Sequence, residues 1–215
     1  MLAKCKKHGY YRDETCPICG EKGKFIMNDK EMSALSRIMA GALRHFPDKM
    51  GVEMDGRGWV DISSLIEAIG TGRSGFNWLR PYHIEALVYT DPRGRYQIDG
   101  GMVRATYGHS IEVNLNDLPK SDLEEFYYPV TEEEADIIVE GGLHPTDRNK
   151  VHLSGTVEKA LEAGRVRTDN PLILKINGKK ARGDGIDIYK AGNDVYITDR
   201  IDAKYISKLE NPEIK

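Results

Sequence analysis

Every cysteine of this 215-residue chain falls within its first 19 positions, as Cys5-Lys6-Lys7-His8 followed by Cys16-Pro17-Ile18-Cys19. Ligands two residues apart reach one ion from a single tight turn, and a Cys3His set suits tetrahedral zinc. With Cys5, His8, Cys16 and Cys19 all coordinating, no position remains for water, so the expected site is structural. A segment this short cannot bury a core alone. Metal affinity then supplies most of its folding free energy, and a disulfide would leave an odd thiol. The expectation is a zinc knuckle over residues 1–28, serving RNA contact or docking.

The rest is long enough for two lobes, with 40% hydrophobic and 30% charged residues. A formal charge of -3 argues against coating nucleic acid through bulk positive potential, though a local basic groove fits within it. No apolar run of about 18 residues occurs, and Met1-Leu2-Ala3-Lys4-Cys5 lacks the apolar centre of a secretory signal. A soluble, cytoplasmic protein with no membrane partner is expected, and no protein partner is evident.

From Leu35 onward, Leu35, Ile38, Met39, Ala42, Leu43 and Phe46 recur at helical spacing, with Asp29 or Ser33 as cap and Pro47 as stop. Arg37, Gly41, Arg44 and His45 then share the polar face. The turn Asp55-Gly56-Arg57-Gly58 leads to Trp59-Val60-Asp61, where Asp61 can cap a second helix, and a third follows Pro81. Residues 95–98 and 102–105 read as a hairpin around Gly100-Gly101. Three helices closed by a hairpin make a winged helix over 29–119. Arg73, Arg80, Arg93, Arg95 and Arg104 fall in this stretch, either as phosphate partners or as solvated surface.

These residues resemble the NAD-dependent RNA 2′-phosphotransferase family. Its blocks stand here as Leu35-Ser36, Leu43-Arg44-His45 and Gly58-Trp59-Val60-Asp61, then Arg104-Ala105-Thr106-Tyr107-Gly108-His109-Ser110, then Val151-His152-Leu153-Ser154. The match runs from about Ser33 to about Tyr205 and leaves the knuckle outside. The resemblance implies an α+β protein, with a winged-helix amino lobe and an ADP-ribosyltransferase-like carboxyl lobe over 120–215, the active site lying in the cleft between them. The residues agree: a strand over 126–130, a capping box at Thr131 and Glu134, a helix ending at Gly141-Gly142, and strands near 172–176 and 195–198.

The resemblance also implies a reaction. The RNA 2′-phosphate attacks the nicotinamide ribose of NAD, nicotinamide leaves, and the ribose 2″-hydroxyl then attacks phosphorus. RNA with a free 2′-hydroxyl and ADP-ribose 1″,2″-cyclic phosphate result, and a splice-junction tRNA is the suggested substrate. The family's Arg-His-Arg-Arg tetrad matches Arg44, His45 and Arg104. Valine occupies the usual fourth position in Gly164-Arg165-Val166-Arg167, so Arg167 is favoured and Arg165 held in reserve. Tyr128, Thr131, His152 and Ser154 are the expected NAD contacts, although Tyr127-Tyr128-Pro129 stands where relatives carry a histidine. RNA contact is expected from Arg44, Arg104, His109 and Ser110, with a plain structural role open for His109 and expected for His83 and His144. No Gly-x-Gly-x-x-Gly fingerprint is present, which fits a transferase that cleaves NAD. Two other readings remain: an ADP-ribosyltransferase capping terminal phosphates of RNA or DNA, and a non-catalytic RNA-binding module.

Overall fold

Strands β1 (Leu2–Cys5), β2 (Gly9–Tyr11) and β3 (Lys24–Met27) form an antiparallel sheet in the order β2-β1-β3. The computed structural model describes residues 1–72 and 75–209, so Arg73 lies outside the described residues. The chain divides into two units, Met1–Leu115 and Asn116–Lys215.

The small sheet buries side chains in two places. Ala3, Cys5, Tyr11 and Cys16 form their own cluster, whereas Leu2, Ile26 and Met27 join the main core of the first unit. Docking is reinforced by Arg12, whose guanidinium donates to Thr90 Oγ1 at 2.9 Å and to the Leu87 carbonyl at 3.4 Å.

Helix α1 (Asp29–Arg44) is capped by Asn28, the residue before Asp29, and not by Asp29 or Ser33 as expected. Asn28 and Glu31 form a capping box: Asn28 Oδ1 accepts from Glu31 N at 2.9 Å, and the Glu31 carboxylate accepts from Asn28 N at 2.8 Å. Leu35, Met39 and Leu43 are fully buried, each stabilising by about 1.5–3 kcal/mol. Phe46 departs from the expected apolar stripe. With Pro47 next, α1 ends at Arg44, and Phe46 turns outward with 50% of its surface exposed.

After a 3-10 turn at Asp48–Met50 come β4 (Val60–Asp61), α2 (Ile62–Gly72) and α3 (Pro81–Tyr89). Asp61 caps α2 through Oδ1, accepting from Ser64 N at 2.8 Å. Strands β5 (Tyr96–Asp99) and β6 (Met102–Ala105) make the expected hairpin, with Gly100 and Gly101 at φ 52° and 86°, and the sheet order is β4-β6-β5.

The second unit is built on a six-stranded antiparallel sheet. In chain order it contains β7 (Glu125–Val130), α4 (Glu132–Gly141), β8 (Val151–Ser154), α5 (Val157–Gly164) and β9 (Leu172–Asn177). Helix α6 (Gly178–Gly183), β10 (Tyr189–Gly192), β11 (Val195–Thr198) and β12 (Ile206–Lys208) follow. The strand order is β10-β11-β8-β7-β9-β12. Phe126 centres the core, edge-on to Tyr196 at 5.0 Å, and a Cβ on Gly178 would lie 2.3 Å from its ring. The fold class is therefore α+β with antiparallel sheets, and no described helix is long and apolar enough to cross a membrane.

Candidate active site

Two sequence blocks about 60 residues apart meet where α1 ends. Ser110 N donates to the Arg44 carbonyl at 3.0 Å, and the Ser110 hydroxyl is hydrogen-bonded to His45 Nδ1 at 2.9 Å. The Arg44 guanidinium lies 4.9 Å from the Tyr107 ring centre and 5.7 Å from that of Tyr96. Gly108 permits the approach. Its φ is 83°, and an added Cβ would stand 3.1 Å from Arg44 Nη1. Gly108→Ala is therefore expected to cost about 1–2 kcal/mol of stability and to displace Arg44, measurable as a lower melting temperature together with reduced turnover.

Arg104 is 3% exposed, so its charge needs close partners. Nε and Nη2 both donate to Gln97 Oε1, at 2.9 and 2.8 Å, Nη1 donates to the Arg57 carbonyl at 3.3 Å, and the guanidinium lies 4.5 Å from the Trp59 ring centre. Gln97 was not singled out among the sequence candidates. The hairpin register carries the signal, since Gln97 pairs directly with Arg104. Two other flagged arginines have structural roles: Arg95 pairs with the buried Asp91 carboxylate at 2.7 Å, and Arg80 donates to the Asn77 and Leu79 carbonyls.

His109 is 5% exposed, and its Nε2 has no hydrogen-bond partner among the described residues. Burial, followed by the charges of Arg44, His45 and Arg104, pushes its pKa down to about 4. The ring is thus neutral at pH 7. Because the folded pKa lies below the usual 6.5, this site's stability contribution is complete above about pH 6.5 and is lost as pH falls toward 4. Wild type should lose stability across that window more steeply than His109→Leu; equal slopes in denaturant titrations would refute this. His83 is buried with Nδ1 accepting from Arg80 N at 3.0 Å, and His144 Nε2 lies 3.2 Å from the Gly141 carbonyl, both structural settings.

Beside His45, a groove of about 530 Å³ is lined by Arg37, Ile38, Gly41, Phe46, Lys49 and Met50. The Phe46 ring is 5.7 Å from that of His45 and carries Lys49 Nζ at 5.0 Å. An exposed ring beside a lysine, in a groove that Arg37 also lines, is a surface that suits a nucleobase and its phosphates.

In the second unit, His152 and Ser154 share one face of the sheet with Tyr127, which pairs with Ser154. The pleat sends Tyr128 to the other face, against the core. Thr131 caps α4, its hydroxyl accepting from Glu134 N at 3.3 Å. The Glu134 carboxylate accepts from Thr131 N through one oxygen and pairs with Arg167 through the other. Burial raises the Tyr128 hydroxyl pKa, and the charge of Arg167 opposes that shift. Arg165 caps the end of α5 and is exposed.

The four expected metal ligands converge, with their donor atoms within 4.8 Å of one another. Cys5 Sγ lies 3.8 Å from Cys19 Sγ and 3.6 Å from His8 Nδ1, while Cys16 Sγ lies 3.4 Å from His8 Nδ1. Tetrahedral zinc bonds to sulfur and nitrogen imply edges of about 3.8 Å and about 3.6 Å. The donor set therefore fits zinc, bound through His8 Nδ1.

Residues 29–200 match the model of the RNA 2'-phosphotransferase, Tpt1 / KptA family. The chain is 43% identical over 204 residues to a probable RNA 2'-phosphotransferase 1 of Archaeoglobus fulgidus, covering 95% of this chain and 93% of that protein. It is 40% identical to a probable RNA 2'-phosphotransferase of Thermoplasma volcanium, over 96% of this chain and 88% of that one. A third, from Methanosarcina mazei, is 39% identical over 98% of this chain and its own full length.

Proposed function

Because this chain belongs to the RNA 2′-phosphotransferase family and is an enzyme of that kind, we propose that it removes an internal 2′-phosphate from RNA, a splice-junction tRNA being the suggested source, by transfer to NAD. The observation that carries this reading is the meeting of Arg44, His45 and Ser110 with the buried Arg104 and His109 in one unit. Guanidinium groups match the paired oxygens of a phosphate dianion, and a fixed imidazole can move a proton between hydroxyls.

NAD supplies an electrophilic anomeric carbon and a neutral leaving group, nicotinamide. Arg44 holds the 2′-phosphate in line, Arg104, positioned by Gln97 and Trp59, adds fixed positive charge behind it, and Arg167 is the fourth catalytic arginine of this reading. One phosphate oxygen bonds to the anomeric carbon as nicotinamide leaves. In the second step the ribose 2″-oxygen bonds to phosphorus, the bond from phosphorus to the RNA 2′-oxygen breaks, and His45 conveys the proton from the first oxygen to the second. Arg167 is preferred over Arg165 because its partner Glu134 and its neighbour Tyr128 belong to the proposed dinucleotide region. His152 and Ser154 contact the dinucleotide from the sheet face they share with Tyr127, while Tyr128 and Thr131 support the end of β7 from its opposite face. In this reading the first unit is a winged helix that grips RNA, with Ser110 setting the His45 ring and Phe46 beside it, and the second is an ADP-ribosyltransferase-like lobe.

Incubation of pure protein with NAD and an internally 2′-phosphorylated RNA is expected to release nicotinamide, 2′-hydroxyl RNA and ADP-ribose 1″,2″-cyclic phosphate in equal amounts. Stable ADP-ribosylated RNA ends without the cyclic product would favour the capping reaction instead.

A further inference from the structure

The knuckle and α3 share a surface that the phosphotransfer reading leaves without a role. In the small sheet, Lys4 pairs in register with Tyr10 on one side and Lys24 on the other, so the three side chains form one row across three strands, about 10 Å wide. Helix α3 extends the row at both ends. Tyr89 stacks on Tyr10 with ring centres 6.4 Å apart and planes 10° from parallel, and Lys24 Nζ lies 5.9 Å from the ring centre of Tyr82. Lys4 Nζ is 4.7 Å from the Tyr10 ring. Tyr89 and Tyr82 are 67% and 40% exposed.

We propose that this strip of Tyr89, Tyr10, Lys4, Lys24 and Tyr82 is a second contact for the RNA substrate, gripping unpaired chain beyond the nucleotide that carries the 2′-phosphate. Rings offer stacking faces to any base, and lysines between them offer charge to the backbone. Charge placement favours this occupant: residues 1–28 hold six Lys and Arg against three Asp and Glu, whereas the whole chain holds 31 against 34. The acidic side chain bonded to the strip, Glu85, accepts a hydrogen bond from the Tyr10 hydroxyl at 3.2 Å. The three strand residues lie outside the matched segment 29–200. The inference rests on the proposed function for the identity of the RNA.

The test uses the full chain with two RNAs, a short 2′-phosphorylated oligonucleotide and the same oligonucleotide with a long unpaired extension. Wild type should bind the extended RNA more tightly. Lys4→Glu/Lys24→Glu should weaken that binding about tenfold or more and flatten its dependence on log salt by roughly 1.4, and Tyr82→Ser/Tyr89→Ser should weaken it about tenfold. In both variants the ratio of kcat/KM for extended over short RNA should fall in proportion. Unchanged affinity for the extended RNA in either variant overturns the proposal, as does an equal loss for both RNAs. Should wild type turn over neither RNA, the phosphotransfer reading fails while the binding comparison still tests the strip.

Discussion

His45→Ala is expected to separate the two chemical steps: nicotinamide release continues near the wild-type rate, while RNA bearing an ADP-ribosylated 2′-phosphate accumulates because its resolution slows about 10²–10⁴-fold. The first step breaks a bond to a neutral leaving group and needs no proton from the enzyme. The second must take a proton from the ribose 2″-hydroxyl and return one to the RNA 2′-oxygen. The Ser110 hydroxyl at 2.9 Å from Nδ1 holds the imidazole at one angle for that transfer, so Ser110→Ala should give a weaker form of the same accumulation. Arg44→Ala should instead depress both steps, about 10²–10³-fold, since the phosphate must be held before either can proceed. Rapid-quench gels of labelled RNA alongside nicotinamide quantitation separate these outcomes. If His45→Ala slowed nicotinamide release as much as overall turnover, the assignment of His45 to the second step would be wrong.

Removing metal from the knuckle is expected to lower the melting temperature by roughly 10 °C or more. Cys5 and Cys16 are buried, and their thiolates are tolerable there only with a cation to share their charge. Without it the sheet β2-β1-β3 loosens and releases Leu2, Ile26 and Met27, each between 0% and 7% exposed in the first unit's core. Each such side chain contributes about 1.5–3 kcal/mol, and a chain of this size shifts by about 2–4 °C per kcal/mol. Calorimetry with and without a strong chelator, together with Cys16→Ser, measures the effect. The expected stoichiometry is one zinc per chain, with cobalt substitution giving the absorption of a tetrahedral sulfur-rich site. Metal-free protein melting at the same temperature as untreated protein would refute a structural metal.

Much of the local architecture was legible in the chain itself. The Cys/His spacing of the knuckle, the Asp61 cap, the Gly100-Gly101 hairpin, and the Thr131 and Glu134 capping box all rest on interactions among residues close in sequence, and the strands containing Phe126, Leu174 and Ile197 show as apolar, β-branched or aromatic runs. Such interactions depend on backbone geometry over a few residues, which residue types and spacing encode directly. The strands of three or four residues, β1 to β3, β8, β10 and β12, were not legible. They are too short for a two-residue period to stand out, and no glycine pair such as Gly100-Gly101 of the β5–β6 hairpin marks them.

Spacing and resemblance determined for this protein the Cys3His set that fits zinc, the order of its helices and hairpin, and the family to which it belongs. Tertiary structure alone decided which of those arginines face which partners. It tied Arg95 to Asp91, seated Arg104 on Gln97 and Trp59, closed Gly108 against Arg44, placed the neutral His109 beside Arg44, His45 and Arg104, and turned Tyr128 away from His152. The physical reason is common to all of them. A buried charge or ring must be satisfied by whatever the packing brings near it, and strand register and core burial choose those neighbours across distances that local periodicity does not reach.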